Sequence, residues 1–436
     1  MNENKINNLI VNKTFLNLMF VSICGAAIFK YSIREVGDIF QTLFFLGSIP
    51  FIYVHRKSLM KDKIVISFFL LSFITLLSWI NSLYKIPEFA KDTPNIFKFF
   101  NIFYFIIIAF WLGGNQRKIL IYWFCALIGF LLACIVKSDA FIHEFVLGLN
   151  GQRIDYNVHN AQHTGMISGF LFLISLYLLA NINHFSRRLS IKIPLLISIT
   201  TLSLFCLSTA IFSQSRQVWL SLFIVLIISP FVYLYLKNKI NIKSITLSIM
   251  FIFSSLFILS QNQVIENRIN SESNTLQAIT HGNYQHIPYT SIGIRVNFWL
   301  ESIPWIEESP IIGVGEDARE LVISESPRLP QWVKNKFWHL HNSHIETIVS
   351  YGFIGLFIIY FAYFWIIKTA IKSEHINYND IMFISILLIT YWLVINNFES
   401  FFFWKSGEYI INIVLAGLYT SYLHSTLYYS GNNNDS

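Results

Sequence analysis

"KILIYWFCALIGFLLACIV", residues 118–136, is an unbroken apolar run. A helix needs roughly twenty such residues to cross a hydrocarbon core of about 30 Å. Comparable runs recur at 14–30, 36–54, 64–84, 97–114, 162–182, 192–212, 218–236, 243–260, 346–367, 379–396 and 407–425. Backbone polar groups find no water in lipid and must bond within their own segment, so these runs predict helices; the alternation expected of a transmembrane barrel is absent. The composition agrees, at 54% hydrophobic and 17% aromatic against 13% charged, whereas soluble chains are about a quarter charged. The expected fold is all-α: a polytopic integral membrane protein of about twelve transmembrane helices.

Basic residues give it an orientation, because short cytoplasmic loops carry the excess of Lys and Arg. "HRKSLMKDK" (55–63), "NQRK" (115–118), "RRLSIK" (187–192), "KNKINIK" (237–243) and "KTAIK" (368–372) all fall on one side, and the opposite turns, such as "YSIREVG" (31–37) and "NNFES" (396–400), are poor in both. This places both termini in the cytoplasm. The formal charge of +7 is therefore largely a topology signal; no basic stripe with interleaved aromatics points to nucleic acid. Cys24, Cys125, Cys134 and Cys206 lie inside apolar runs, where they act as small hydrophobes and imply no disulfide framework. The first run lacks a small-residue cleavage pattern and reads as a retained helix.

Two outer loops are long, 137–161 and about 261–345, and loops of that length usually carry function. They divide the chain into helices 1–9 (residues 1–260), the large loop (261–345), and helices 10–12 with the tail (346–436). The large loop opens polar, "SQNQVIENRINSESNTLQ", and continues into "RVNFWLESIPWI", which predicts a helix with Val296, Trp299, Leu300 and Ile303 on one face, lying on the membrane or capping the bundle. The terminal "GNNNDS" reads as a short tail.

Three constellations fall on the outer side. In "SQSRQVWL" (213–220), Arg216 opens a helix at the membrane interface, as a snorkelling anchor or as a ligand for a lipid-linked phosphate. "GIRVNFWLESIPWIEESPIIGVG" (293–315) carries Arg295, Trp299, Pro310, Gly313 and Gly315. Gly313 to Ala318 fits the spacing of a dinucleotide fingerprint, but Glu316 and Asp317 occupy the phosphate position, so the glycines are read as a turn. "WHLHNSHIETIVSYGFIGL" (338–356) places His339, His341 and His344 before a membrane helix, and "HNAQH" adds His159 and His163. Metal binding and acid–base or hydrogen-bonding roles are both open for these histidines, although nearby acids are sparse in sequence and no aspartate-rich motif is present. Two arginines and a histidine without a partnered Ser or Cys nucleophile suit transfer from a substrate that already has a good leaving group, such as a sugar on a lipid diphosphate. Planar bidentate arginine contacts would then take the place of a metal ion.

"SRQVWL", "IRVNFWLESIPWIEESPIIGVG" and "HNSHIETIVSYGFIGL" resemble, in order and spacing, the O-antigen ligase and polymerase superfamily over about residues 150–370. The resemblance implies a GT-C-like glycosyltransferase bundle in a bacterial inner membrane, with one large periplasmic loop between helices 9 and 10. It implies an undecaprenyl-diphosphate-linked glycan as donor, the lipid A-core as acceptor for a ligase, or another lipid-linked repeat for a polymerase, and no metal or cofactor. By position, Arg216 and Arg295 look like the arginines that bind the diphosphate, and His341 looks like the base for the acceptor hydroxyl. Arg153, Gln217, Trp299, Asn342 and His344 look like substrate-binding or supporting residues; His344 stands where an aromatic or large apolar residue is usual, and if the tenth helix starts this early it shares a face with His341 and could orient the ring. His339 precedes the motif and reads as a hydrogen-bonding loop residue. A flippase, the rival of a different class, would place charges deep within the helices.

Overall fold

Several helices in this chain start where a short polar side chain can take the amides that a first turn leaves unpaired. Asn12, Asp62, Asn160 and Asn342 each accept from two such amides, and Asn115 from one. A computed structural model describes residues 12–186, 188–238, 240–260, 270–370 and 378–429. Residues 1–11, part of the opening of the large loop, the "GNNNDS" tail and parts of "RRLSIK", "KNKINIK" and "KTAIK" lie outside the described residues.

Every predicted span falls on helix, and no strand occurs among the described residues. Among the described residues, eight helices are long and apolar enough to cross a membrane: Arg34–Leu59, Lys63–Lys85, Gln116–Lys137, Ala161–Ala180, Leu189–Phe212, Arg216–Leu236, Ser343–Thr369 and Lys405–Leu427. Lys13–Phe29, Phe100–Leu112 and Asn379–Ile395 are shorter apolar helices, and Ile242–Ser260 is helical. Outward-facing Leu43, Leu46, Ile49, Phe69, Phe73, Leu204 and Phe357 are exposed, as a lipid-facing surface requires. The 97–114 run differs from expectation. It forms two short helices, Phe100–Phe103 and Phe105–Leu112, ended by Gly113 and Gly114 at φ 62° and 65°. Residues just before it are drawn away to the large loop, where Lys98 and Lys91 pair with Glu316, and Lys91 also with Asp317.

The large loop is itself folded, with helices Ser273–Thr280, Ser291–Glu308, Ala318–Ser324 and Gln331–Lys334 around a small core of Phe298, Val314, Val322, Ile323, Val333 and Leu340. The helix read from "RVNFWLESIPWI" is present, but its buried face is Gly293, Asn297, Phe298 and Ser302, and Ile303 is exposed. It packs against the loop's own core, and the buried Asn297 amide is satisfied by the carbonyls of Gly293 and Ile287.

This loop is joined to the bundle by a backbone exchange. Gly352, inside Ser343–Thr369, has φ 66° and ψ −177°, which breaks the helical ladder. The carbonyls of Val349 and Ser350 then accept from Val314 and Gly315 at 2.9 and 3.0 Å, and the amides of Phe353 and Ile354 donate to Pro310 and Ile311 at 2.8 and 3.3 Å. "PIIGVG" thus fills the break, and the approach is close enough that a Cβ on Gly352 would lie 2.1 Å from the Ile311 oxygen. Ser78 and Asn81 of the Lys63–Lys85 helix lock the joint by donating to the carbonyls of Ser350 and Gly313.

Gly282 also has positive φ, 70°, but open space where a Cβ would go. Gly282→Ala should cost only the left-handed conformation, about 1–2 kcal/mol. Gly352→Ala adds a backbone collision in a conformation open essentially only to glycine, so thermal unfolding in detergent should show a small shift for the first and loss of the folded, monodisperse protein for the second.

Candidate active site

Arg216 is the first residue of the helix Arg216–Leu236, the end at which the helix dipole favours an anion. The turn before it is braced: Arg153 Nε donates to the Ser213 carbonyl at 3.0 Å, the Ile154 amide to Phe212 at 3.0 Å, and Gln214 to the Gly151 carbonyl at 2.7 Å. Arg153 therefore acts on the Arg216 turn. The Arg216 guanidinium pairs with the buried Glu272 at 2.7 Å, and Thr290 and the Ile292 amide hold the other oxygen of that carboxylate.

Arg295, on Ser291–Glu308, spreads its fork between loop and bundle. Nε donates to the Phe398 carbonyl at 3.0 Å, Nη1 to the Ser291 carbonyl and hydroxyl at 2.8 and 2.9 Å, and Nη2 to Gln217 Oε1 at 3.4 Å. Burial lowers its pKa from the ordinary arginine value, nearby Arg216 adds to this, and Glu399 and Glu272 oppose it. Gln217, the residue after Arg216, is buried, and its Nε2 finds no partner among the described residues.

His341 sits at φ 52°, a left-handed conformation that is uncommon for any residue but glycine. Contacts on both sides hold it there. The Leu340 amide donates to Glu346 at 2.7 Å, the Leu340 carbonyl accepts from Trp299 Nε1 at 3.2 Å, and Asn342 caps the next helix through the amides of His344 and Ile345. Trp299 and Asn342 thus position the His341 backbone. The imidazole stacks on Phe298 at 6.2 Å and meets the edge of Phe337 at 5.6 Å. Its Nδ1 faces both oxygens of Glu399, at 3.1 and 3.0 Å, and His339 Nε2 faces the same carboxylate at 2.9 Å.

Glu399 is the residue that sequence reasoning missed, since the acids near this cluster read as sparse. It is almost fully buried and accepts also from the Ser400 amide at 3.1 Å. Burial works against its ionisation, but the two imidazoles that face it outweigh burial and hold its pKa well below the ordinary glutamate value. His341 has a lowered pKa, through burial first; Glu399 opposes this, and His339 and Arg295 assist it. The arginines expected to keep this histidine neutral are thus a minor influence beside desolvation. An ionised carboxylate at Nδ1 fixes the Nδ1–H tautomer and leaves the Nε2 lone pair available.

His344 takes another direction. Its Nε2 meets the Leu393 carbonyl at 2.9 Å, its Nδ1 the Tyr360 hydroxyl at 3.0 Å, and the ring packs edge-on to Phe402. Both nitrogens are engaged on the helical interior, so Glu399 and not His344 orients His341. His159 and His163 lie with rings 4.3 Å apart against Trp404, which also contacts His339 at 5.7 Å, and His163 bonds Ser406.

Arg216 also stands at one end of an apolar cavity of about 1090 Å³ between the helices Ala161–Ala180, Leu189–Phe212, Arg216–Leu236 and Tyr378–Ile395. Its lining runs from Gln152, Gln214 and Arg216 through Trp219, Leu222 and Leu226 to Lys237 and Asp380. At 1.5 Å per residue this is about 30 Å of the Arg216–Leu236 helix. Neither Arg295 nor His341 lines it.

Residues 201–360, which contain Arg216, Arg295 and His341, match the family model described as O-antigen ligase. This segment belongs to the O-antigen ligase and polymerase superfamily. An uncharacterized protein of Haemophilus influenzae is 27% identical over 206 residues, 46% of this chain and 50% of that protein. The chain spans about half the length of this curated relative. The helical, apolar architecture and the family segment together describe a membrane-embedded, O-antigen-related protein.

Glu346 holds the site together: fully buried, it accepts from the Leu340 amide and the Ser400 hydroxyl and pairs with Arg319 at 3.3 Å. Glu346→Ala leaves Arg319 without its carboxylate and should destabilise by about 3–5 kcal/mol. Glu346→Gln keeps an acceptor for Leu340 and should lose less, a ranking that thermal unfolding of purified variants will test.

Proposed function

We propose that this protein is an O-antigen ligase of the bacterial inner membrane, working on the periplasmic face with both termini in the cytoplasm. The observation that carries the reading is the convergence of Arg216, Arg295 and the His341–Glu399 pair at the end of a membrane-length apolar cavity. The cavity exceeds the roughly 300–1,000 Å³ of ordinary small-molecule sites and suits a long polyprenyl chain. Its diphosphate would then lie at the start of the Arg216–Leu236 helix beside two guanidiniums.

In this mechanism the Nε2 lone pair of His341 takes the proton of an acceptor hydroxyl on lipid A-core. The hydroxyl oxygen forms a bond to the anomeric carbon, and the bond from that carbon to the diphosphate breaks with its electron pair on the departing oxygen. Arg216 and Arg295 stabilise the charge that develops there, and Glu399 stabilises the imidazolium. A deletion strain distinguishes the possible acceptors. Lipopolysaccharide gels that lose all long chains while lipid-linked polymer accumulates support ligation, whereas single-repeat lipopolysaccharide would identify a polymerase.

Arg216→Ala should abolish transfer and Arg216→Lys should impair it by roughly 10²-fold or more, because lysine supplies charge without the planar fork. If both arginines hold one diphosphate, the Arg216→Ala, Arg295→Ala double variant should lose far less than the product of the single losses. Multiplying defects at matched membrane levels would mean separate sites.

The base works as neutral imidazole, and its lowered pKa keeps it neutral below the ordinary value of about 6.5; activity is lost only as pH falls through the lowered value. Glu399 pulls that value up, so Glu399→Gln should move the acidic limb to lower pH and reduce the rate by roughly 10²-fold. An unmoved acidic limb in the pH–rate profile would remove Glu399 from this role.

A further inference from the structure

The carboxylate that aligns His341 is shared, and the sharing creates a second possibility at the same place. His339 Nε2, His341 Nδ1 and a Glu399 oxygen all lie within 4.8 Å of one another. Two of the three separations, both to Glu399 Oε1, are 2.9 and 3.1 Å, close to the roughly 3.3 Å between neighbouring ligands around a tetrahedral Zn²⁺ with bonds near 2.0–2.1 Å. The rings already face each other with centroids 4.0 Å apart, and the left-handed backbone at His341 turns both imidazoles toward one carboxylate. The donor set, two imidazoles and one carboxylate, suits Zn²⁺ and leaves a fourth position open. The Ser400 amide holds the carboxylate as an outer support, and His339 Nδ1 is buried with no partner among the described residues.

We propose that His339, His341 and Glu399 form a Zn²⁺-class cation site whose occupancy switches His341 off as a base. A neutral imidazole carries one N–H. With the carboxylate as its only partner, that hydrogen sits on Nδ1 and the Nε2 lone pair is free. A cation bound at Nδ1 needs the lone pair there, so the ring hydrogen moves to Nε2 and the ring neither gains nor loses a proton. Nε2 then has no lone pair with which to take a hydroxyl proton. The consequence for transfer rests on the reading of His341 as the base; the cation site itself does not.

The test uses the full chain, purified in nanodiscs and stripped of metal, with Zn²⁺ titrated calorimetrically and Co²⁺ as a spectroscopic probe. One Zn²⁺ per chain and a tetrahedral Co²⁺ absorption band are expected. Both should be lost in His339→Ala, in His339→Gln and in Glu399→Ala, and kept in His163→Ala, which alters a neighbouring histidine outside the triad. Size-exclusion profiles show that each variant is folded. Donor-to-acceptor transfer by the unaltered protein should fall as Zn²⁺ occupancy rises and recover on chelation. Binding that survives both His339 variants would mark an adventitious ion and overturn the site. Activity that disappears with chelator and returns with Zn²⁺ would make the cation a promoter and overturn the switch. Because binding is read without substrate, a chain that transfers no glycan would refute the function proposed above and still leave the cation site decided.

Discussion

The backbone exchange at Gly352 is the constraint on which the rest of the site depends. A helix entering lipid has to satisfy its own carbonyls and amides, and one broken near its start must borrow partners from protein. Here "PIIGVG" supplies them through Pro310, Ile311, Val314 and Gly315, and the glycines at 313 and 352 let two backbones approach where a Cβ would collide. The exchange ties the loop to the helix whose first turn carries Asn342 and Glu346. His341 is therefore placed by two elements at once, the helix that follows it and the loop helix bearing Trp299 and Arg295. A strained φ at a single residue persists when its surroundings over-determine it in this way.

The charges obey a related rule. A buried charge is tolerated when paired and hydrogen-bonded: Arg216 pairs with Glu272 and Arg319 with Glu346, Arg295 bonds the carbonyls of Phe398 and Ser291, and both imidazoles face Glu399. Such pairing holds the guanidinium forks in place before any ligand arrives. An incoming anion adds to donors that are already oriented, so little of its binding free energy is spent on ordering them.

Most of the helical framework was legible because it is local. Apolar runs located the membrane helices, and asparagines and an aspartate marked several of their starts. Arg216 at the head of a helix and His341 just before one were readable in the same way. Glu399 was not, since it lies 58 residues from His341 and occupies a turn that periodicity treats as a mere connection. A signal was nevertheless present: an acid between an apolar helix and "FFFW" is costly beside lipid unless something pairs with it. The buried face of Ser291–Glu308 was misjudged for another reason. The apolar stripe was sought for a membrane or bundle surface, but the helix packs on the loop's own core and buries an asparagine whose amide bonds backbone carbonyls. Likewise, the expected cause of His341's neutrality was charge, a sequence-visible quantity. The dominant cause is burial beside Phe298 and Phe337, which only the tertiary structure supplies.

In the function proposed above, the cavity separates recognition from chemistry. It is lined by Arg216 and not by His341 or Arg295, so whatever apolar chain enters it touches the bundle along the Arg216–Leu236 helix and reaches the reacting groups only at its end. For a lipid-linked donor, the tail supplies binding free energy that is equal before and after transfer, because the polyprenyl chain does not change. Such uniform binding lowers the concentration needed and does not lower the chemical barrier. In the function proposed above, the barrier would be lowered where charge moves, at the two guanidiniums and at the imidazole held by Glu399. That division fits a cavity whose long middle is apolar, from Trp219 through Leu222 to Leu226, and whose charged residues, Arg216 at one end and Lys237 and Asp380 at the other, stand only at its ends.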